Sequence, residues 1–308
     1  MTSLINALPG ALSQGLIWGI MAIGLVITYK ILELSDLTVD GSFCTGGAVC
    51  AMLMVAGYHV WVALLIATLA GMLAGWVTSF FHTKLGIPAI LSGILTQLGL
   101  WSVNLAIMGM KANQALNVNK VDLLVSMRYL TAVVKGKEPF YMYPLLTVGL
   151  FTVAIVAILY WFFGTELGSS LRATGANAAM SRAQGINTNI TKILGLMISN
   201  GIVALSSALL AHYQGFVDVN MGRGAIVIGL AAVIISQVMF GKIFHNFALK
   251  LMGVAIGAVI YYIVIQIVLW LGLNTNLLKL LSALIVAVFL AVPYWREKAS
   301  QRGGGRHA

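Results

Sequence analysis

Residues 164–192 read GTELGSSLRATGANAAMSRAQGINTNITK, the longest polar interruption in the second half of an otherwise apolar chain. The apolar runs on either side, 143–163 and 193–213, are each long enough to cross a bilayer. The interior of the stretch predicts a short helix. Thr174 or Asn177 can cap the free N–H groups at its start, Ala178, Ala179, Met180 and Ala183 are good helix formers, and Gly185 can end it in a left-handed turn. Arg172 and Arg182 flank it. A helix held in water between two spans presents its small and apolar residues to something other than lipid, so it is either a docking element or a solvated connector.

Composition sets the medium for the rest. The 308 residues are 60% hydrophobic and 8% charged, with a mean hydropathy of +0.97, whereas a soluble domain carries about 25% charged residues. Such a chain cannot cover a water-facing surface, and the expected class is an all-α polytopic membrane protein. A net charge of +10 would suggest nucleic acid in a soluble protein. Here the cations fall mostly in loops between apolar runs, where they set orientation and meet anionic membrane lipid, so no nucleic-acid partner is expected. Cys44 and Cys50, six residues apart in one apolar stretch, face different sides of a helix and make neither a disulfide framework nor a metal site. The first residues have no basic n-region, and the first span is expected to stay in the mature protein.

Apolar runs of about 17 to 25 residues fall at 12–29, 41–58, 60–81, 87–110, 143–163, 193–213, 225–240, 248–271 and 277–293, which predicts about nine spans, within a range of eight to ten. With 164–192 inside, parity puts eleven cations inside (Lys30, Lys84, Arg172, Arg182, Lys192, Lys242, Lys250, Arg296, Lys298, Arg302, Arg306) and seven outside (Lys111, Lys120, Arg128, Lys135, Lys137, Arg223, Lys279). This excess favours an outside N-terminus and a cytoplasmic C-terminus. The segment 111–142 is then an external loop with an apolar middle, LLVSMRYLTAVV, either a surface helix that meets a delivery protein or a cover for the pore mouth. Small residues four apart (Gly15 and Gly19, Gly71 and Gly75, Ala204 and Ala208, Gly253 and Gly257) predict close helix contacts within one chain or between two copies.

Nothing points to an enzyme. His59, His82, His212, His245 and His307 are scattered without metal-ligand spacing, and there is no G-x-S-x-G elbow, Walker A sequence or dinucleotide fingerprint. Polar residues inside apolar runs are the remaining candidates. Thr38, Asp40 and Ser42, in the stretch DLTVDGS at 36–42, either cap a broken membrane helix or face a translocation path. A carboxylate in mid-membrane costs roughly 2.5 to 3.5 kcal/mol, so the depth of Asp36 and Asp40 decides what they imply. Thr96, Gln97 and Asn104 share one span, where Gln97 and Asn104 lie on one face; they line a path for a polar solute or bond neighbouring helices. Asp218 and Arg223, in an outer turn before the short seventh span, are candidate docking charges for a binding protein.

The run LGSSLRATGANAAMSRAQGIN, 167–187, closely resembles the cytoplasmic coupling loop of ABC importer permeases of the ribose and branched-chain amino-acid transporter type, at Leu167, Gly168, Gly175, Asn177, Ala178, Gly185, Ile186 and Asn187. DLTVDGS is similar to the family's Asp-Leu-Ser-x-Gly-Ser motif with one residue added, and AIVIGLAAVIISQVMFGK at 225–242 stands where the family has a helix of alternating small residues and a glycine turn. The resemblance covers about residues 8–292. It implies a transmembrane permease domain over 1–295, with a discontinuous second span, a coupling loop at 164–192 and an external loop at 111–142, followed by a cytoplasmic tail at 296–308. Many members have one more N-terminal helix, which this sequence is expected to lack.

On this resemblance the coupling residues are Arg172, Gly175, Asn177, Ala178, Ala179, Met180, Arg182, Ala183 and Gly185. The expected partners are a second permease copy, separate ABC ATPase subunits and an extracytoplasmic solute-binding protein, in a bacterial inner membrane. No cofactor is expected in this chain; ATP and Mg would sit on the ATPase. The TVDGSF spelling most resembles a subgroup that uses lipoprotein binding proteins and is associated with aromatic amino acids such as tryptophan and tyrosine. A nucleoside or sugar permease is the second reading. An ion-coupled secondary transporter or a membrane scaffold explains the composition but not the loop.

Overall fold

A computed structural model describes residues 2–116, 123–129, 143–241 and 243–271, with 280, 283–284, 286–288 and 291 beyond them. Helix α1 (Thr2–Val26) continues into a π-helical turn (Ile27–Ile31). After it come α2 (Val39–Val55), α3 (Val60–Thr83), α4 (Ala89–Ile107), strand β1 (Asn113–Ala115), α5 (Pro144–Gly164), α6 (Glu166–Ala176), α7 (Ala178–Ala183), α8 (Thr188–Gln214), β2 (Phe216–Asp218), α9 (Ala225–Phe240) and α10 (Phe247–Trp270). Six segments are long and apolar enough to cross a membrane: Ala7–Ile31, Val60–Thr83, Ala89–Ile107, Pro144–Gly164, Thr188–Gln214 and Phe247–Trp270; α2 and α9 are apolar but shorter. These eight correspond to the first eight expected spans. The ninth, 277–293, falls mainly outside the described residues, as do much of the loop 111–142 and all of the tail 296–308. One feature departs from an all-α chain. Strands β1 and β2 pair antiparallel, Asn113 opposite Asp218, and tie the segment after α4 to the segment after α8.

Helices α1, α2 and α8 form the centre, with α3 and α4 packed on one flank and α5, α9 and α10 on the other. The flanking helices turn large apolar side chains outward, among them Leu65, Leu73 and Trp76 on α3, Leu95 and Leu98 on α4, and Leu150, Ile158 and Trp161 on α5. An exterior of this kind is compatible with lipid and not with water.

The small-residue pairs are contacts within the chain. Gly15 and Gly19 of α1 meet Val259 and Ala255 of α10, Gly71 and Gly75 of α3 meet the backbone of Asn200 and Leu196 of α8, and Gly253 and Gly257 meet Ser236 and Ala232 of α9. A Cβ on Gly75 would lie 2.3 Å from the Leu196 carbonyl oxygen, and one on Gly46 of α2 would lie 2.1 Å from that of Ala204. Ala204 thus sits between α2 and α3, and only glycine on each lets the three backbones meet.

The first span ends in a π turn that is held from α8. Ser199 Oγ of α8 donates to the Gly24 carbonyl at 2.8 Å, just before the ladder of α1 widens into the π turn, which closes with Leu32 N–H to Ile27 O at 3.0 Å. Glu33 then adopts a left-handed φ of 54°, and the chain stays non-helical until α2. With 17 residues, α2 is about 25 Å long and unbroken; the irregular segment lies before it, between the first and second spans, and not within the second span as expected.

Candidate functional site

That irregular segment is held by a closed set of polar contacts. Asp36, 3% exposed, accepts from the Thr38 N–H through Oδ1 at 2.9 Å and from Asn200 Nδ2 through Oδ2 at 2.7 Å. Asn200 Oδ1 in turn accepts from Ser42 Oγ at 2.6 Å, and the hydroxyls of Thr38 and Thr78 are 2.6 Å apart. Asn200 lies about 18 Å along α8, so Asp36 is buried within the bundle and its cost is offset by neutral donors. Thr38 and Ser42 are therefore engaged in fixing the break. Thr96 is also buried and bonds the Ser92 carbonyl of its own helix at 3.0 Å.

The other three path candidates meet in a cavity of about 310 Å³ between α2, α4 and the turn before α9. It is lined by Asp40, Gly41 and Cys44, by Gln97, Leu98, Trp101 and Asn104, and by Val219 and Arg223. Asp40 is also a cap, for a different helix than the break suggested. Its Oδ2 accepts from Gly224 N–H and its Oδ1 from Ile226 N–H, both at 3.0 Å, closing the first turn of α9, while Thr38, at the N-cap of α2, makes no side-chain cap bond. Asn104 Nδ2 donates to the Gly41 carbonyl at 3.3 Å, and its buried Oδ1 meets no donor among the described residues. An orphaned acceptor of this kind beside a cavity is available to a bound donor.

Arg223, expected at a docking surface, is exposed and lines the same cavity. Asp218 does not: its Oδ1 accepts from Asn220 N–H at 2.7 Å and fixes the turn after β2. Trp101 was not singled out from sequence, although it falls four residues after Gln97 and three before Asn104, on the same helical stripe. Arg223 reaches the cavity only because β2 and the following turn fold back over α2, which no local pattern records.

At the other end of α8 the coupling candidates divide between two helices. Thr165 caps α6, accepting from Gly168 N–H at 3.3 Å, so Arg172 and Gly175 are helical residues and not loop flanks. Gly175 packs on the Ile31 carbonyl, 1.7 Å from where a Cβ would stand. Arg172 Nη2 donates to the Phe163 carbonyl at 2.6 Å. Thr174 is no cap; its hydroxyl bonds the Ser170 carbonyl at 2.8 Å and lies 2.9 Å from that of Thr191, pinning α6 to α8. Asn177 is the cap, extended in backbone (φ −159°, ψ 101°), with Oδ1 accepting from Met180 N–H at 3.0 Å. Helix α7 ends at Gly185, φ 84°, and Asn187 caps α8. Ala179, Met180, Arg182 and Ala183 are exposed and Ala178 is half-buried. Among the described residues no group of three or more His, Cys, Asp or Glu side chains converges on a metal site.

These features define a multi-pass membrane protein with a largely apolar cavity edged by a few polar side chains toward one end and a separately capped helix projecting at the other. The family profile described as branched-chain amino acid transport system / permease component matches residues 8–292, and the chain belongs to that family. It is the permease subunit of an ABC transporter, which sets aside the ion-coupled and scaffold readings. It is 38% identical to the tyrosine transport system permease protein of Clostridioides difficile (strain R20291) over 93% of this chain and 91% of that one. It is 27% identical to the autoinducer 2 import system permease protein LsrC of Escherichia coli O9:H4 (strain HS) over 61% of this chain and 51% of that one. The solved structure of a metal-chelate type ABC transporter in an inward-facing conformation shares the fold at 15% identity, with a TM-score of 0.54 over 94% of this chain and 85% of that one.

Proposed function

We propose that this chain pairs with a second copy to form the pore of an ABC importer for an aromatic amino acid, with α7 as the element that receives the force of an ATPase subunit. The observation that carries the coupling reading is α7 itself. It is six residues long, capped by its own Asn177 and ended by its own Gly185, and it leaves Ala179, Met180 (59% exposed), Arg182 and Ala183 free for a groove in a partner. ATP and Mg would be bound by that partner, and the end bearing α7 would be cytoplasmic in a bacterial inner membrane. A solute-binding protein, a lipoprotein in the subgroup this chain resembles, would dock at the opposite end near Arg223.

The solute reading rests on the tyrosine transport relative and on the chemistry of the cavity. Arg223 suits a carboxylate, Asn104 Oδ1 and Gln97 suit an ammonium or amide, and Trp101 offers an indole for stacking. The test is ATPase turnover of the reconstituted permease, ATPase and binding protein against tyrosine, tryptophan, phenylalanine, leucine, ribose and adenosine. Stimulation is expected from aromatic amino acids and is expected to vanish in Ala179→Arg/Ala183→Arg. Stimulation confined to ribose or adenosine would overturn the solute, and unchanged turnover in the double variant would overturn coupling through α7.

A further inference from the structure

A second cavity, of about 450 Å³, opens at the end of the bundle that carries α6 and α7, between the end of α1, the end of α9 and the start of α10. Three cations border it, Lys30, Arg172 and Lys250, against one carboxylate, Glu33, and none of the four is in an ion pair among the described residues. Lys30 and Lys250 face the same space from the end of α1 and the start of α10, so the wall carries an excess of positive charge. Arg172 uses one N–H on the Phe163 carbonyl and keeps other donors of its planar fork. The remaining wall is apolar, with Phe240, Phe244, Phe247 and Val254.

Two further hollows continue this one. A space of about 470 Å³ shares Arg172 and Phe247 and adds Tyr160 and Trp161, and another of about 340 Å³ shares Lys30 and Glu33 and adds Tyr29. Tyr29, Tyr160 and Trp161 are 43%, 52% and 72% exposed, the positions amphipathic rings take at the level of lipid headgroups. A soluble anion would match the cations but not the aromatic wall; a neutral lipid would match the wall but leave the cations unanswered.

We propose that this cavity holds an anionic phospholipid, its phosphate between Lys30, Arg172 and Lys250 and its acyl chain along Phe240, Phe244 and Phe247. Basic pockets between spans commonly take such headgroups. The site leans on the π turn and on α6, so a bound lipid braces the end of α1 against the segment that carries α7. This inference rests on membrane placement alone and not on the solute or on coupling.

The experiment is native mass spectrometry of the delipidated full chain titrated with phosphatidylglycerol or phosphatidylcholine, with thermal unfolding of each variant as the folding control. The chain is expected to take one phosphatidylglycerol well before further copies, in preference to phosphatidylcholine. Lys30→Gln/Lys250→Gln is expected to weaken that first binding by roughly 30-fold, at about fivefold for each basic side chain near an anionic headgroup. Lys30→Arg/Lys250→Arg should restore it, and Lys84→Gln, which removes a cation outside the cavity, should leave it unchanged. Equal uptake of the two lipids, full affinity in the glutamine pair, an equal loss in Lys84→Gln, or displacement of the lipid by millimolar inorganic phosphate would each overturn the proposal. If the glutamine pair fails to fold, Lys250→Gln alone decides through its own loss of about fivefold.

Discussion

Asp36 carries a carboxyl into the interior and survives there because three neighbours answer it: the Thr38 N–H, Asn200 Nδ2 and, through Asn200, the hydroxyl of Ser42. Asn200 is the hinge of that set, since it also donates to the Leu196 carbonyl of its own helix at 3.0 Å. Replacing it with leucine keeps the branched shape but strips Asp36 Oδ2 and Ser42 Oγ of their partner. Each orphaned buried group costs about 1 to 3 kcal/mol, so Asn200→Leu is expected to destabilise the protein by roughly 2 to 6 kcal/mol. Thermal unfolding in detergent reads this directly, and an unchanged midpoint would mean that Asp36 draws its stability from elsewhere. The sequence exposed Asp36 and Ser42 as polar groups in apolar surroundings. It could not pair them with Asn200, because Asn200 lies 164 positions from Asp36 along the chain.

At the scale of elements, the structure rests on backbones brought together over glycine. Gly71 and Gly75 let α3 lie on α8, and Gly46 admits α2 to the same helix. Gly75→Leu places a side chain where the Leu196 carbonyl stands, and overpacking of this kind costs at least 1 to 3 kcal/mol. By contrast, Gly99 on α4 has open space around its Cβ position. Gly99→Ala is expected to be neutral or to stabilise by up to about 1 kcal/mol through helix propensity. Folded yield and unfolding midpoint of the two variants, measured side by side, check the contrast; equal behaviour would refute the packing argument. Helix α7 illustrates what local sequence records well. Asn177 and Gly185 mark its ends because capping and left-handed termination are local events. Helix α6 went unread because its Gly, Ser and Thr content resembles a loop, and it is packing onto α8 and the π turn that makes it a helix.

For the whole molecule, the ends of the bundle are chemically unlike. One end gathers α6, α7, Lys30, Lys250 and the His82–Lys192 contact at 3.2 Å; the other gathers the β1–β2 ribbon and Arg223. If the first end is cytoplasmic, a cysteine placed at exposed Ala179 reacts with a membrane-impermeant maleimide in inside-out vesicles and not in right-side-out ones. The native Cys44 and Cys50 are buried, so the background is low. The reverse pattern of labelling would invert the orientation and with it the import reading.

The amino-acid sequence by itself determined the medium, the succession of eight apolar helices, six of them long enough to cross a membrane, the small-residue seams and the capped helix at 178–183. Hydropathy, glycine spacing and capping act over a few residues, so each leaves its mark where it acts. Only the tertiary structure decided which polar residues meet. Of the expected path set, Thr38, Ser42 and Thr96 are taken up by internal bonds, while Asp40, Gln97 and Asn104 share a cavity with Trp101 and Arg223, Asp40 there also capping α9 and Asn104 also bonding the Gly41 carbonyl. In an apolar bundle every polar group seeks a partner, and whether it finds one in the protein or faces a cavity is settled by the register of helices far apart in the chain.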